Sequence, residues 1–227
     1  MERKQATRIQ TSLLNTLEHK ALVWLADRQP KWVTSDMLTA VGTFGALLIG
    51  LGYALTAVNI NFLWLSTFGL LVNWYGDSLD GTLARVRHKQ RPVYGYYVDH
   101  TMDVINEAMM FFGEGMAPFF DMRLALSAFI LYLLLTLNVS MNAHLRSEFR
   151  LTYLKLGPTE FRIIVALANI VMVCFGNSIF DSKIPNAFLY FVVLMLTIIY
   201  VITIISDLKY YSAIDPMPED TKDEEKN

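Results

Sequence analysis

Six apolar runs, near 37–55, 60–76, 104–120, 123–144, 160–176 and 185–206, set the limits on what this chain can become. A bilayer span needs about 20 mostly apolar residues, and several of these runs approach or exceed that length. They predict an all-α membrane protein with six transmembrane helices. The third run is the weakest, because Asn106, Glu107 and Glu114 interrupt it. The second overshoots the bilayer: a single helix over 61–88 would be about 40 Å long against about 30 Å of hydrocarbon. Between the second and third runs, "HKQRPV" makes a basic turn containing Pro92.

Charge placement orients the bundle. Of the 19 Lys and Arg residues, six precede Met37, four lie in 85–91, four in 146–162 and three after Ser206. The opposite side holds only Arg123 and Lys183. The positive-inside tendency then puts both termini in the cytoplasm. Charged residues make up only 18% of the chain, below the quarter usual for soluble domains. The single cysteine, Cys174, sits in an apolar run and can form no intramolecular disulfide.

The N-terminal stretch does not resemble a cleavable signal peptide. From Ile9, residues Leu13, Leu17, Ala21, Trp24 and Leu25 recur at helical spacing, which predicts an amphipathic helix over 9–29 ended by Pro30. Two placements stay open for it, on the membrane surface or against the protein's own cytosolic face. The segment from Asp215 is acidic and proline-containing and reads as a disordered tail over 215–227. What remains, 1–214, is one membrane domain with its spans in 37–206.

The polar residues that matter most lie in 73–103, at the cytosolic end of the second helix and the cytosolic start of the third. Asp77 and Asp80 are three apart, with Ala84 one turn on, so the three share a helix face. Gly95, Asp99 and Asp103 follow at intervals of four and form another stripe. If the helices pack side by side, the two carboxylate pairs converge. Uncompensated, they would repel strongly. Hard divalent cations with oxygen ligands are the natural neutralisers, and a pair of Mg²⁺-like ions could bridge a diphosphate during phosphoryl transfer. Gly81, Ala84 and Gly95 are small enough to let a bulky ligand approach the backbone, or merely to let helices pack closely. Arg85 offers a planar donor for phosphate oxygens.

The pattern D77-x2-D80-G81-x2-A84-R85-x9-G95-x3-D99-x3-D103 resembles the signature of the CDP-alcohol phosphotransferases, class I integral membrane enzymes of phospholipid synthesis. Here nine residues separate Arg85 from Gly95 where the usual pattern has eight, a difference confined to the basic turn. The resemblance implies that Asp77, Asp80, Asp99 and Asp103 hold two ions, Mg²⁺ or Mn²⁺. It implies Asp103 as the general base, and Gly81, Ala84, Arg85 and Gly95 as the border of the CDP moiety. An acceptor hydroxyl would attack the β-phosphorus of a CDP-linked donor and release CMP. The implied partners are that donor, an alcohol or lipid acceptor, membrane lipids and a second copy in a homodimer, with no nucleic acid.

Donor and acceptor stay open. Arg146, Arg150, Lys155 and Arg162 form a second basic cluster around Gly157–Pro158, suited to an acceptor phosphate, a lipid headgroup or plain topology. Arg162 opens an apolar helix and could point inward, and Glu160 suits a helix start. "GPTE" is similar to an element of the choline/ethanolamine phosphotransferase branch, but departs from it at Phe161. The family's other arrangement pairs CDP-diacylglycerol with a polar alcohol. A rival from another class is a small transporter using the aspartates as a cation or proton path. It predicts carboxylates spread through the membrane depth, for which Glu114 is the one candidate.

Overall fold

In the computed structural model, the structure describes residues 7–9, 14–146, 148–150, 157–179 and 183–217. Apart from one short parallel pairing of β1 (Thr7–Ile9) with β2 (Glu148–Arg150), the described chain is helical. The helices are α1 (Asn15–Asp27), α2 (Ser35–Leu55), α3 (Leu63–Val86), α4 (Pro92–Met116), α5 (Met122–Arg146), α6 (Pro158–Ile179) and α7 (Ile184–Ile214). Most of the expected acidic tail and the side chains of Arg146, Arg150 and Lys155 lie outside the described residues.

Each of the six apolar runs falls mainly on one helix, although 60–62 form a separate turn before α3 and 117–120 lie beyond the end of α4; four of the helices, α2, α5, α6 and α7, are long and apolar enough to cross a membrane. The remaining two, α3 and α4, are 24 and 25 residues long but carry the carboxylates. At 1.5 Å per residue each is about 36 Å or more, ample for about 30 Å of hydrocarbon.

Local chemistry explains the boundaries. Thr34 caps α2, its hydroxyl accepting the Met37 amide at 3.2 Å. Pro92 stands at the first position of α4, where its missing N–H costs nothing. At the end of α3, His88 adopts φ 54°, and the Lys89 amide reaches back to the Ala84 carbonyl at 2.9 Å while the His88 amide bonds Arg85 at 3.1 Å. This left-handed cap turns the chain sharply into the basic loop. Arg87 then stitches the turn to the α1–α2 connection, donating to the carbonyls of Val33, Gln29 and Pro30.

At the centre, α2 packs between α3 and α4. Gly42 and Gly45 of α2 lie directly against Gly76 and Asn73 of α3, and Gly50 lies against Met109 and Gly113 of α4. The α2 glycines thus pack against both neighbouring helices, close enough that no side chain fits between the backbones. Ile49, Tyr53, Leu63, Leu70, Ala117, Phe119 and Met172 fill the core at one end. At the other, Leu22 and Ala26 of α1 pack with Val33, Leu38, Leu79 and Leu83.

The faces of α1 differ in what covers them. The buried face is Leu22 and Ala26, whereas Leu17, Ala21 and Trp24 are exposed. Helical spacing alone shows one apolar stripe; here apolar residues occupy two faces, and the smaller one packs. Glu18 fixes the docking, accepting from the Trp74 indole at 2.9 Å and from the Thr159 hydroxyl at 2.5 Å.

Candidate metal and phosphate site

The site is assembled at one end of the central trio. Asp77 and Asp80 lie near the C-terminal end of α3, and Asp99 and Asp103 in the second and third turns of α4. α3 and α4, joined by the turn over 87–91, each pack on α2, and at this end of α2 their carboxylates meet. Asp77, Asp99 and Asp103 each bring one oxygen within 4.8 Å of the others. Three hard oxygen donors in that space suit a divalent cation of the Mg²⁺ or Mn²⁺ kind.

Asp80 departs from the expected quartet. Its Oδ2 accepts the Thr39 hydroxyl at 2.6 Å, its other oxygen accepts the Gly81 amide, and its backbone carbonyl takes the Ser35 hydroxyl at 2.7 Å. It still lies within electrostatic reach of Asp77 and Asp99. Thr39 carried no signal in the sequence, since a threonine in an apolar run ordinarily bonds its own helix.

Asp77 is held from α6. Arg162 Nη2 lies 2.6 Å from Asp77 Oδ2, and Arg162 Nε donates to Asn73 Oδ1 at 3.1 Å. Asn73, 1% exposed, is itself anchored by its amide to the Gly42 carbonyl at 3.0 Å. The inward arginine is therefore a partner of the carboxylate group. Asn73 could have been found, because it is a polar residue one turn before Asp77 in an apolar run. Glu160 does serve the helix start: Oε2 accepts the Gly157 amide at 3.0 Å, and Oε1 takes the Leu14 amide at 2.9 Å.

The small residues face open space. A side chain at Gly81 would touch only the Arg85 guanidinium, at 3.4 Å, and one at Gly95 would meet nothing within 4 Å. Ala84 is half-buried and Arg85 exposed, with one nitrogen on the Thr82 hydroxyl at 2.9 Å. Close helix packing thus explains neither glycine, in contrast to those of α2. His100 reaches Asp99 at 3.8 Å while stacked on Tyr96, closer than its position on the helix suggested.

One further feature borders the site. A cavity of about 550 Å³ runs between α3 and α6, lined by Trp64, Phe68, Leu71, Trp74, Ile163 and Arg162. It links an apolar groove to the arginine that grips Asp77.

A partial match accompanies this geometry. Over 83 residues the chain is 36% identical to phosphatidylinositol phosphate synthase of Cutibacterium acnes (strain DSM 16379 / KPA171202). The match spans 36% of this chain and 37% of that enzyme, so it takes in little more than a third of either protein. No protein-family model matches the chain.

Proposed function

We propose that this protein is a membrane transferase of phospholipid synthesis, moving a substituted phosphate from a CDP-linked donor to an alcohol hydroxyl with release of CMP. The observation that carries the reading is the meeting of Asp77, Asp99 and Asp103 within 4.8 Å, beside glycines whose outer faces are open. The resemblance of 77–103 to CDP-alcohol phosphotransferases and the partial similarity to a phosphatidylinositol phosphate synthase support the same reading. Six spans follow if α3 and α4 also cross, with the site and both termini on the cytoplasmic side and α1 lying at the interface through Leu17 and Trp24. A homodimer is part of this proposal.

The chain's own residues supply most of the chemistry. Gly81, Ala84 and Gly95 leave room for the nucleotide, and Arg85 lies beside them as a phosphate donor. Asp77, Asp99 and Asp103, with Asp80 behind them, would hold Mg²⁺ or Mn²⁺, which when bound neutralises the diphosphate and the charge that develops on the departing CMP. Asp103 accepts the proton of the attacking hydroxyl. The new oxygen–phosphorus bond forms at the β-phosphorus, the bond from that phosphorus to the bridging oxygen breaks, and CMP leaves with the electron pair. Arg162 and Asn73 hold Asp77 in place throughout. The α3–α6 groove fits the hydrocarbon of a lipid substrate arriving sideways. The relative's product favours CDP-diacylglycerol with a polar alcohol over CDP-choline or CDP-ethanolamine with diacylglycerol.

The test is CMP release by the full chain in liposomes with Mg²⁺ or Mn²⁺, running both donor classes beside an Asp103→Asn variant and a chelated control. CMP from one donor class, lost on chelation and reduced about 10²-fold or more in the variant, supports the reading. No CMP from any pair, with the donor also failing to bind by calorimetry, returns the carboxylates to a cation or proton path. Glu114, electrostatically coupled to Tyr53 in the core, would then be its deeper station.

A further inference from the structure

A side chain of α1 bridges the two walls of the α3–α6 groove. Glu18 Oε1 accepts from the Trp74 indole of α3 at 2.9 Å and from the Thr159 hydroxyl of α6 at 2.5 Å. Trp74 and Thr159 both line the groove, as does Arg162. Trp74 stands three residues before Asp77, and Thr159 three before Arg162. Each therefore lies one turn from a member of the Arg162–Asp77 pair, on the same face of its helix. The two contacts are successive rungs between α3 and α6, one direct and one through α1. Glu160, next to Thr159, takes the Leu14 amide at 2.9 Å, which ties the start of α6 to α1 a second time.

Near the site, few other contacts among the described residues set the spacing of α3 and α6. Deeper along α6, Met172 belongs to the core with Leu63 and Leu70 of α3, and Asn169 accepts the Tyr53 hydroxyl of α2 at 2.7 Å. Closer to the carboxylates the groove of about 550 Å³ parts the two helices, so side chains do not interlock there. Yet Arg162 reaches α3 with two nitrogens, Nη2 at 2.6 Å from Asp77 and Nε at 3.1 Å from Asn73. A planar fork meets two partners on one helix only at a set distance and tilt. We propose that Glu18 is a positioning residue: by clasping Trp74 and Thr159 it fixes the spacing of α3 and α6, and with it the seat of Arg162 on Asp77. Without the clasp, α6 pivots about its packed deeper half. Asp77 is one of the three carboxylates grouped for a cation, so the loss reaches cation binding through Arg162. This rests on the phosphotransferase reading and makes α1 part of the scaffold of its site.

The experiment uses the full chain in liposomes and compares wild type with Glu18→Ala, Glu18→Gln and Thr159→Val. Mn²⁺ binding is read by electron paramagnetic resonance, CMP release with the donor class that wild type accepts gives activity, and thermal unfolding reports the fold. A group that touches a metal ligand typically changes affinity about 10–100-fold when removed. Glu18 acts one contact further out, so Glu18→Ala should weaken Mn²⁺ binding about threefold to tenfold. Its CMP release should fall at limiting Mn²⁺ and recover as Mn²⁺ is raised. Glu18→Gln keeps the acceptor oxygen and should bind Mn²⁺ as wild type does. Thr159→Val removes one arm of the clasp and should fall between, and it decides the matter if Glu18→Ala does not fold. Unchanged Mn²⁺ affinity without the clasp, or an equal loss in Glu18→Gln, overturns the proposal while leaving the transferase reading in place. A wild type that binds Mn²⁺ but releases no CMP from either donor class overturns the transferase reading alone. A wild type that binds no Mn²⁺ overturns the cation site and this proposal with it.

Discussion

Two helix attachments in this molecule solve one problem in opposite ways. In α2, eight of 21 residues are buried, four of them glycines, and the helix is pressed backbone to backbone against α3 and α4. In α7, only Pro185, Leu189 and Asp207 of 31 residues are buried. Near its start Leu189 packs on Leu124, Ala125 and Ala128 of α5, and near its end a polar knot ties it to the same helix. Asp207 Oδ2 accepts from Asn138 at 2.9 Å and Asn142 at 2.8 Å, while the Tyr211 hydroxyl donates to Asn142 Oδ1 at 2.7 Å. Lipid tails are as apolar as leucine, so helices gain little by hiding hydrocarbon from them; close van der Waals contact and hydrogen bonds are what remain. The close contact is used where carboxylates must be held to a fraction of an ångström. The polar knot is used where one helix need only stay attached.

Changes that exchange one attachment for the other give the sharpest tests. Gly76→Leu should be the most damaging, because a side chain there would collide with the Leu38 carbonyl and with Gly42. It should cost about 3 kcal/mol or more and abolish CMP release, read by thermal unfolding in detergent beside the assay. Asp77→Asn keeps the packing and should lose activity about 10²–10³-fold with little change in unfolding temperature. Asp207→Leu should cost about 1–2 kcal/mol by taking the acceptor from the Asn138 amide, loosening α7 in hydrogen exchange while α2–α4 stay protected. If α2 and α7 lose protection together, the two attachments are not independent. His88→Gly relieves a left-handed residue at φ 54° and should stabilise by about 1 kcal/mol or less, seen as a small rise in midpoint.

The smallest effect is a pH dependence at the far end of the bundle. Hydrogen bonds from the Arg123 side chain, and then from its backbone amide, hold the Asp121 carboxyl below the usual range. A depressed folded value means stability that is present above the ordinary carboxylate pKa and fades as pH falls below about 4. The difference in midpoint between wild type and Asp121→Asn should shrink on acidification, while the core glycine variants keep theirs.

The long elements were readable because apolar runs and their flanking charges are one-dimensional signals. The meeting of Asp77, Asp99 and Asp103 followed from the spacing of the aspartates and from Pro92 in the turn between them, but α4 packs on α2 and not side by side with α3. What the sequence did not show was partnership. Asp80 pairs with Thr39, 41 residues earlier, and Asp77 with Arg162, 85 later; no periodicity encodes contacts between separate helices. On α1 spacing reports that a face is apolar but not what covers it: Leu22 and Ala26 pack on the protein, whereas Leu17, Ala21 and Trp24 do not. Arg87 counted only as topological charge until its three carbonyl partners appeared.

The length of α7 carries a consequence of its own. Its 31 residues make about 46 Å of helix, well beyond about 30 Å of hydrocarbon. Such a helix must lean or protrude, and bilayer thickness sets how far. Asp207 and Tyr211 lie in the last third, where the lean produces the widest swing, and there they grip α5 through Asn138 and Asn142. A thicker or thinner membrane would therefore pull on α5, which packs against α4, the helix carrying Asp99 and Asp103. In this way the composition of the bilayer could set the working shape of the site.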